Sequence, residues 1–241
     1  MNSALIFAGG SGKRMNSKTK PKQFLEVNGK AIIIHTIEYF EKNENIDNIV
    51  VVCIEEWIEH LDGLLKKNLI NKVKWIVPGG KTGQESIYNG LKVLYENCDN
   101  PKESIVLIHD GVRPLISKEL INDNINCVKE FGNAITVTFQ NETSVVVDSN
   151  NRIEKINDRK STKVARAPQS FYLEDIMQAH NKTTKLGENS MIDSASLMKN
   201  CGHDLYIVEG PVENIKITTP SDYYIMRAIF EARENSQIFG F

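Results

Sequence analysis

No run of apolar residues in this sequence is long enough to cross a bilayer. The longest, such as Ile49–Ile54, fall far below the roughly 20 residues that a spanning helix requires, so no membrane partner is expected. The opening residues, MNSALIFAGG, lack the basic segment and small-residue cleavage site of a secretory leader. Cysteine is sparse: Cys53, Cys98, Cys127 and Cys201 form no CxxC pair, which argues against a zinc site or a disulfide framework and for reduced thiols in the cytoplasm. Positive charge is not in surplus either. With 29 Lys and Arg against 31 Asp and Glu the net charge is -2, which argues against a nucleic-acid partner but leaves room for a local basic pocket. No internal repeat, low-complexity stretch or linker interrupts the chain. What remains, 41% hydrophobic and 25% charged residues over 241 positions, suits one folded domain spanning 1–241.

Short β-prone runs alternate with stretches of helical period. Ser3–Ala8, Asn48–Cys53, Val73–Val77 and Ser104–His109 are rich in Val and Ile, as strands buried on both faces tend to be. Between them, Ile33, Ile34, Ile37 and Phe40 share one helical face, as do Trp57, Leu61, Leu64 and Leu65. Tyr88, Leu91 and Leu94 mark a third helix, and Leu120, Ile121, Ile125 and Val128 a fourth. The alternation predicts an α/β fold with a single, Rossmann-like, mostly parallel sheet flanked by helices. It breaks at about 134–160, where Ala134–Phe139, Ser144–Val147 and Arg152–Ile156 follow one another without helices, the last two joined by the polar turn Asp148–Asn151. That stretch predicts a projecting antiparallel β-arm. Helices return at Leu173–His180 and Ala195–Asn200, a strand at Leu205–Glu209, and a last helix over Tyr223–Ala232. For that helix Thr219 is the expected N-cap, Pro220 the first residue and Asp222 the capping acid.

The first strand runs into Ala8-Gly9-Gly10-Ser11-Gly12-Lys13-Arg14-Met15, then Lys20-Pro21-Lys22-Gln23-Phe24. Glycines let successive backbone N–H groups close on an anion, and Arg14 and Lys22 add the charge a triphosphate calls for. The loop is not a P-loop, since GxxxxGK[ST] is absent, nor a dinucleotide fingerprint, since Met15 stands where the third glycine belongs. On composition alone, a glycine-rich turn with solvated lysines stays open.

AGGSGKRM followed by KPKQFLEVNGKAI resembles the signature of nucleotidyltransferases that activate sugar and polyol phosphates. PKQF is similar to the cytidylyltransferases acting on 2-C-methyl-D-erythritol 4-phosphate and ribitol 5-phosphate. The resemblance continues, in order and over nearly the whole chain, through Gly79-Gly80, Ser86–Leu91, His109–Pro114, Ala167–Phe171 and Asn214–Pro220. It implies that a phosphate oxygen of a polyol phosphate attacks the α-phosphorus of CTP and pyrophosphate leaves, with Mg²⁺ as cofactor. The work of such an enzyme is to align two anions and stabilise developing charge.

By this resemblance Arg14, Lys22 and Lys216 are catalytic. Ala8, Gly9, Gly10, Gly12, Gly80, Ser86 and Gly111 bind nucleotide, and Asp110, Arg113, Thr143 and Arg159 bind the acceptor. Asp110 also takes the metal, as a carboxylate at a strand's carboxyl end suits. Thr143 and Arg159 come from the arm of the second subunit, implying a homodimer with arm exchange. Simpler roles stand beside these: Ser86 as an N-cap ahead of Asn89-Gly90-Leu91, Asp193 as an N-cap, His109 as a packed strand-end histidine, and Arg152–Lys160 as a solvated basic stretch.

Two stretches depart from the family pattern. Lys81-Thr82-Gly83-Gln84-Glu85 lacks an arginine soon after the double glycine, and Arg166-Ala167-Pro168-Gln169 has alanine where threonine usually precedes Pro-Gln. AGG in the first loop, Ile34–Glu38, Trp57–His60 and Thr218-Thr219 lean towards ribitol 5-phosphate, giving CDP-ribitol; Ser86–Leu91 leans towards methylerythritol phosphate, the alternative acceptor along with other alditol phosphates. A dehydrogenase or a nucleotide sensor accounts less well for Arg14, Lys22, Asp110 and Lys216 together.

Overall fold

The computed structural model describes residues 1–10, 20–187 and 191–239, with side chains to residue 235. In chain order the elements are β1 (Asn2–Ala8), a 3-10 turn (Lys22–Phe24), β2 (Glu26–Val27), β3 (Lys30–Ala31), α1 (Ile32–Glu41), β4 (Asn48–Cys53), α2 (Ile58–Lys67) and β5 (Val73–Pro78). They continue with α3 (Gly83–Glu96), β6 (Ile105–Asp110), α4 (Lys118–Phe131), β7 (Asn133–Phe139), β8 (Val145–Val147) and β9 (Ile153–Ile156). The chain then forms β10 (Lys163–Tyr172), α5 (Leu173–Lys185), α6 (Ser194–Asn200), β11 (Ile207–Glu209) and α7 (Pro220–Phe239).

Seven strands form the central sheet in the order β11-β7-β10-β6-β1-β4-β5. β1 pairs in parallel with β4 and β6, β4 with β5, and β7 with β11, while β10 alone runs against its neighbours β6 and β7. The expected mostly parallel α/β sheet is what the chain builds.

Strand alternation divides the core between two faces. Ala4, Ile6, Ile49, Val51, Ile105 and Leu107 pack against the apolar sides of α1, α2 and α4. Leu5, Val50, Val52, Val106 and Ile108 face α3, α5 and α6 on the other side. A smaller cluster around Ile32, Leu115, Ile217 and Met226 seats α7. The start of α7 matches its signals: the Thr218 and Thr219 amides donate to Asp222 Oδ2 at 2.8 and 2.7 Å, and Pro220 is the first residue. Among the described residues no helix is long and apolar enough to cross a membrane.

The arm begins later than its sequence pattern implied. Ala134–Phe139 belongs to β7, inside the main sheet, because β10 pairs with it along Lys163–Phe171. Of that stretch, β8 and β9 stand apart from the main sheet as a two-stranded ribbon, with Val147 and Ile156 at 50% and 63% exposure.

Candidate active site

The carboxyl ends of β1 and β6 lie side by side, with Phe7 opposite Asp110. This is the edge of an open α/β sheet where ligands bind. From β1 the chain turns through Gly9 and Gly10, and from β5 through Gly79 and Gly80. These two turns meet backbone to backbone: a Cβ on Gly9 would lie 3.4 Å from Gly79 Cα, and one on Gly79 would lie 3.2 Å from Gly9 Cα. A side chain at either position would press on its neighbours, which would have to give by a few tenths of an ångström.

Lys22 and Gln23 reach the same edge from the 3-10 turn. Phe24, buried and stacked on Trp57 at 4.8 Å, anchors that turn. Gln23 donates its amide to the Ala8 carbonyl at 2.7 Å, tying the turn to the glycine loop, and Lys22 Nζ donates to the Ile217 carbonyl at 2.9 Å. These groups line a cleft of about 500 Å³ that also includes Ser86, Asp110, Lys216 and Thr218.

Ser86 is not the helix cap. Thr82 caps α3, its Oγ1 accepting from the Glu85 amide at 3.1 Å, and Ser86 lies one turn in. There Ser86 Oγ donates to the Thr82 carbonyl at 2.9 Å and accepts from the Gly80 amide at 3.0 Å, so the Gly80 N–H is committed within the loop. Asp193 does cap α6, accepting from the Ser196 amide at 2.8 Å, while its second oxygen accepts from Gln169 at 3.0 Å.

Asp110 holds the centre. Arg113 Nε lies 2.7 Å from one carboxylate oxygen and Lys216 Nζ 2.5 Å from the other. Burial pushes the Asp110 pKa up, but Lys216 and Arg113 outweigh it and hold the acid at about 2. Arg113 is fixed further by donating to the Asn214 carbonyl at 2.9 Å. His109, one residue earlier, is fully buried, its Nε2 3.1 Å from the Arg113 carbonyl; burial lowers its pKa to about 4 and keeps it neutral. It packs as a strand-end histidine.

Asp110 is the one acidic residue lining the cleft among the described residues, and no cluster of three or more metal-ligating side chains occurs among them. That donor set does not make a resident metal centre. It does fit Mg²⁺ brought by a triphosphate, since this cation takes one or two carboxylates and fills its shell with phosphate oxygens and water. Each carboxylate oxygen keeps a second lone pair beside its ion pair.

A second pocket of about 340 Å³ adjoins the first, sharing Phe7, Gly83, Asp110 and Lys216 with it. Arg113, Arg166, Gln169, His180 and Asp193 are among its polar groups, and Ile87, Ile108 and Leu197 contribute to its apolar wall.

The structure thus brings together Ala8, Gly9, Gly10, Lys22, Gly80, Ser86, Asp110 and Lys216 around one cleft and adds Arg113 in the next. Gly111 sits just behind, its amide donating to the Phe7 carbonyl at 3.0 Å. Gly12 and Arg14 lie outside the described residues. Thr143 and Arg159 pair with each other at 2.9 Å by the arm and line neither pocket. Gln23, Gln169 and His180 went unread as site residues, since their neighbours are made by the fold rather than by local spacing.

The family model for 2-C-methyl-D-erythritol 4-phosphate cytidylyltransferase (IspD) matches residues 3–232. A ribitol-5-phosphate cytidylyltransferase of Vibrio parahaemolyticus is 53% identical over 240 residues, covering 100% of both chains, and one of Streptococcus agalactiae is 50% identical with the same coverage. Among solved structures, a 4-diphosphocytidyl-2C-methyl-D-erythritol synthase from Anaerococcus prevotii superposes with a TM-score of 0.82 at 28% identity, over 95% of this chain and 96% of that one.

Proposed function

The chain belongs to the family of 2-C-methyl-D-erythritol 4-phosphate cytidylyltransferases, and on that footing we propose that it transfers the cytidylyl group of CTP to ribitol 5-phosphate, giving CDP-ribitol and pyrophosphate. One observation carries the reading beyond family membership: the ion cluster Arg113–Asp110–Lys216 stands where a glycine-lined cleft meets a second pocket. Such a joint suits the meeting of two phosphates. The full-length identity of 53% and 50% to ribitol-5-phosphate cytidylyltransferases supports the choice of acceptor.

In this reading CTP occupies the cleft between the Ala8–Gly10 turn and Gly80, and the polyol chain enters the second pocket. A phosphate oxygen of the acceptor attacks the α-phosphorus; the bond to the β-phosphate oxygen breaks, and pyrophosphate leaves with the electron pair. A phosphate monoester is already ionised near pH 7, so no general base is required. Lys22 and Arg14 hold the α-phosphate and the departing pyrophosphate. Lys216, oriented by Asp110, meets charge on the transferring group, and Arg113 draws the acceptor in. Fixed cations aimed at developing charge in a partly dry site lower the barrier by several kcal/mol each. Mg²⁺ arriving with the triphosphate would neutralise phosphate charge, and Asp110 would be the residue to hold it.

We further read the enzyme as a cytoplasmic homodimer. Exposed Val145, Val146, Val147, Ile153 and Ile156 on the arm ribbon call for cover, and arm exchange would bring Thr143 and Arg159 of the partner subunit to the acceptor phosphate. Four free thiols suit a reducing compartment.

The test is pyrophosphate release from CTP and Mg²⁺ with a panel of acceptors: ribitol 5-phosphate, 2-C-methylerythritol 4-phosphate, glycerol phosphates and other alditol phosphates. Turnover is expected with ribitol 5-phosphate. Turnover confined to methylerythritol phosphate would move the chain to the reaction for which the family is named, and silence across the panel would refute the assignment.

A further inference from the structure

Seven buried side-chain polar atoms lack a hydrogen-bond partner among the described residues. None belongs to a residue lining the nucleotide cleft, whereas two, Arg166 Nε and His180 Nε2, belong to residues lining the adjoining pocket. Buried polar groups are nearly always satisfied, and those that are not mark strain or an absent partner.

The His180 ring is held in place by its packing. His180 is 2% exposed on α5, its ring stacked on Tyr88 at 5.5 Å and 12°, and Tyr88 is fixed by donating to Asn181 at 2.7 Å. Burial lowers the His180 pKa to about 4, so the ring is neutral and offers one donor and one acceptor. Arg166 lies on β10 just before Ala167, with Arg113 as its charged neighbour. Arg113 is already compensated by Asp110 and the Asn214 carbonyl.

The pocket also carries the carboxylates of Asp110 and Asp193. Asp110 is paired with Arg113 and Lys216, so the pocket's charges largely balance. Beyond that ion cluster a neutral chain of hydroxyls can accept from the Arg166 guanidinium and exchange a hydrogen bond with the neutral His180 imidazole. The apolar wall of Ile87, Ile108 and Leu197 suits the C–H face of such a chain. We propose that Arg166 and His180 read the hydroxyl chain of the acceptor and set its length and pattern. This rests on the assignment of the second pocket to the polyol.

The experiment compares wild type, Arg166→Gln and His180→Leu with ribitol 5-phosphate and with erythritol 4-phosphate, one hydroxyl shorter, reading kcat/KM for each acceptor and KM for CTP. Each substitution should lower kcat/KM for the five-carbon acceptor about 10- to 100-fold. The preference for five carbons over four should shrink, with KM for CTP kept within about twofold. Unchanged kcat/KM, or an equal loss on both acceptors, would overturn the proposal. Thermal stabilisation by CTP with Mg²⁺ reports folding, and Arg166→Lys and His180→Asn replace any variant that fails it. Wild-type silence towards every polyol phosphate would instead fell the acceptor assignment, and this inference with it.

Discussion

The two sides of the sheet build their pockets differently. Where β1, β4, β5 and β6 run parallel, the cleft is made largely of backbone: two glycine turns in contact, a glutamine clamp from Gln23 and a serine bridge from Ser86. Where β10 runs antiparallel beside β6, the pocket is made of side chains, and two of them carry a buried nitrogen that has no hydrogen-bond partner among the described residues. A triphosphate is read by charge and by N–H groups, which a fixed loop supplies. A polyol is read hydroxyl by hydroxyl, which needs side chains from several elements. On the proposed function, reaction class would reside on the parallel side and acceptor choice on the other.

The largest break in this division comes from Lys22→Ala. Removing that charge should lower kcat roughly 100-fold or more for every acceptor alike while the fold persists, as steady-state kinetics with CD would show. A loss restricted to one acceptor would erase the distinction between the sides.

Asp110→Asn probes the joint. Depressed to about 2 from the ordinary 3.8, this acid contributes stability that is fully present above the ordinary value and is lost as pH falls through about 2. Wild type should thus show no Asp110-linked change above about pH 4. Chemical denaturation should find the variant destabilised at neutral pH, with the gap narrowing below pH 4.

A smaller effect is expected from Gln23→Ala, which leaves the Ala8 carbonyl without its 2.7 Å donor. Loosening the loop by about 1 kcal/mol should raise KM for CTP roughly fivefold and leave acceptor preference untouched. Smallest is Ser117→Ala, away from both pockets. Ser117 Oγ accepts from the Leu120 amide at 3.2 Å as the cap of α4, so its loss should cost about 1 kcal/mol, lowering Tm by about 2–4 °C with unchanged kinetics.

The same division decided what could be read in advance. β1, β4 and β6 each hold a continuous apolar stretch, β5 is rich in Val and Ile around Lys74, and their helices carry clear periodicity, so the parallel side was legible in outline. β10 was not read as a strand: Lys163 and Arg166 break its apolar pattern, Pro168 offers no ladder donor, and its pairing with β7 shifts between Ala165 and Gln169. Without it, Ala134–Phe139 had no visible partner and was assigned to the arm. The α3 cap was misplaced to Ser86 although Thr82-Gly83-Gln84-Glu85 spells a capping box. Arg166 and His180 come to line one pocket with Asp110 only once β10 and α5 have packed, and no local spacing encodes that.

The most direct test of the account is a competition in one tube: CTP and Mg²⁺ with equal ribitol 5-phosphate and 2-C-methylerythritol 4-phosphate, products separated and identified. The account predicts CDP-ribitol as the dominant product. Dominant formation of the cytidine diphosphate of methylerythritol would contradict it.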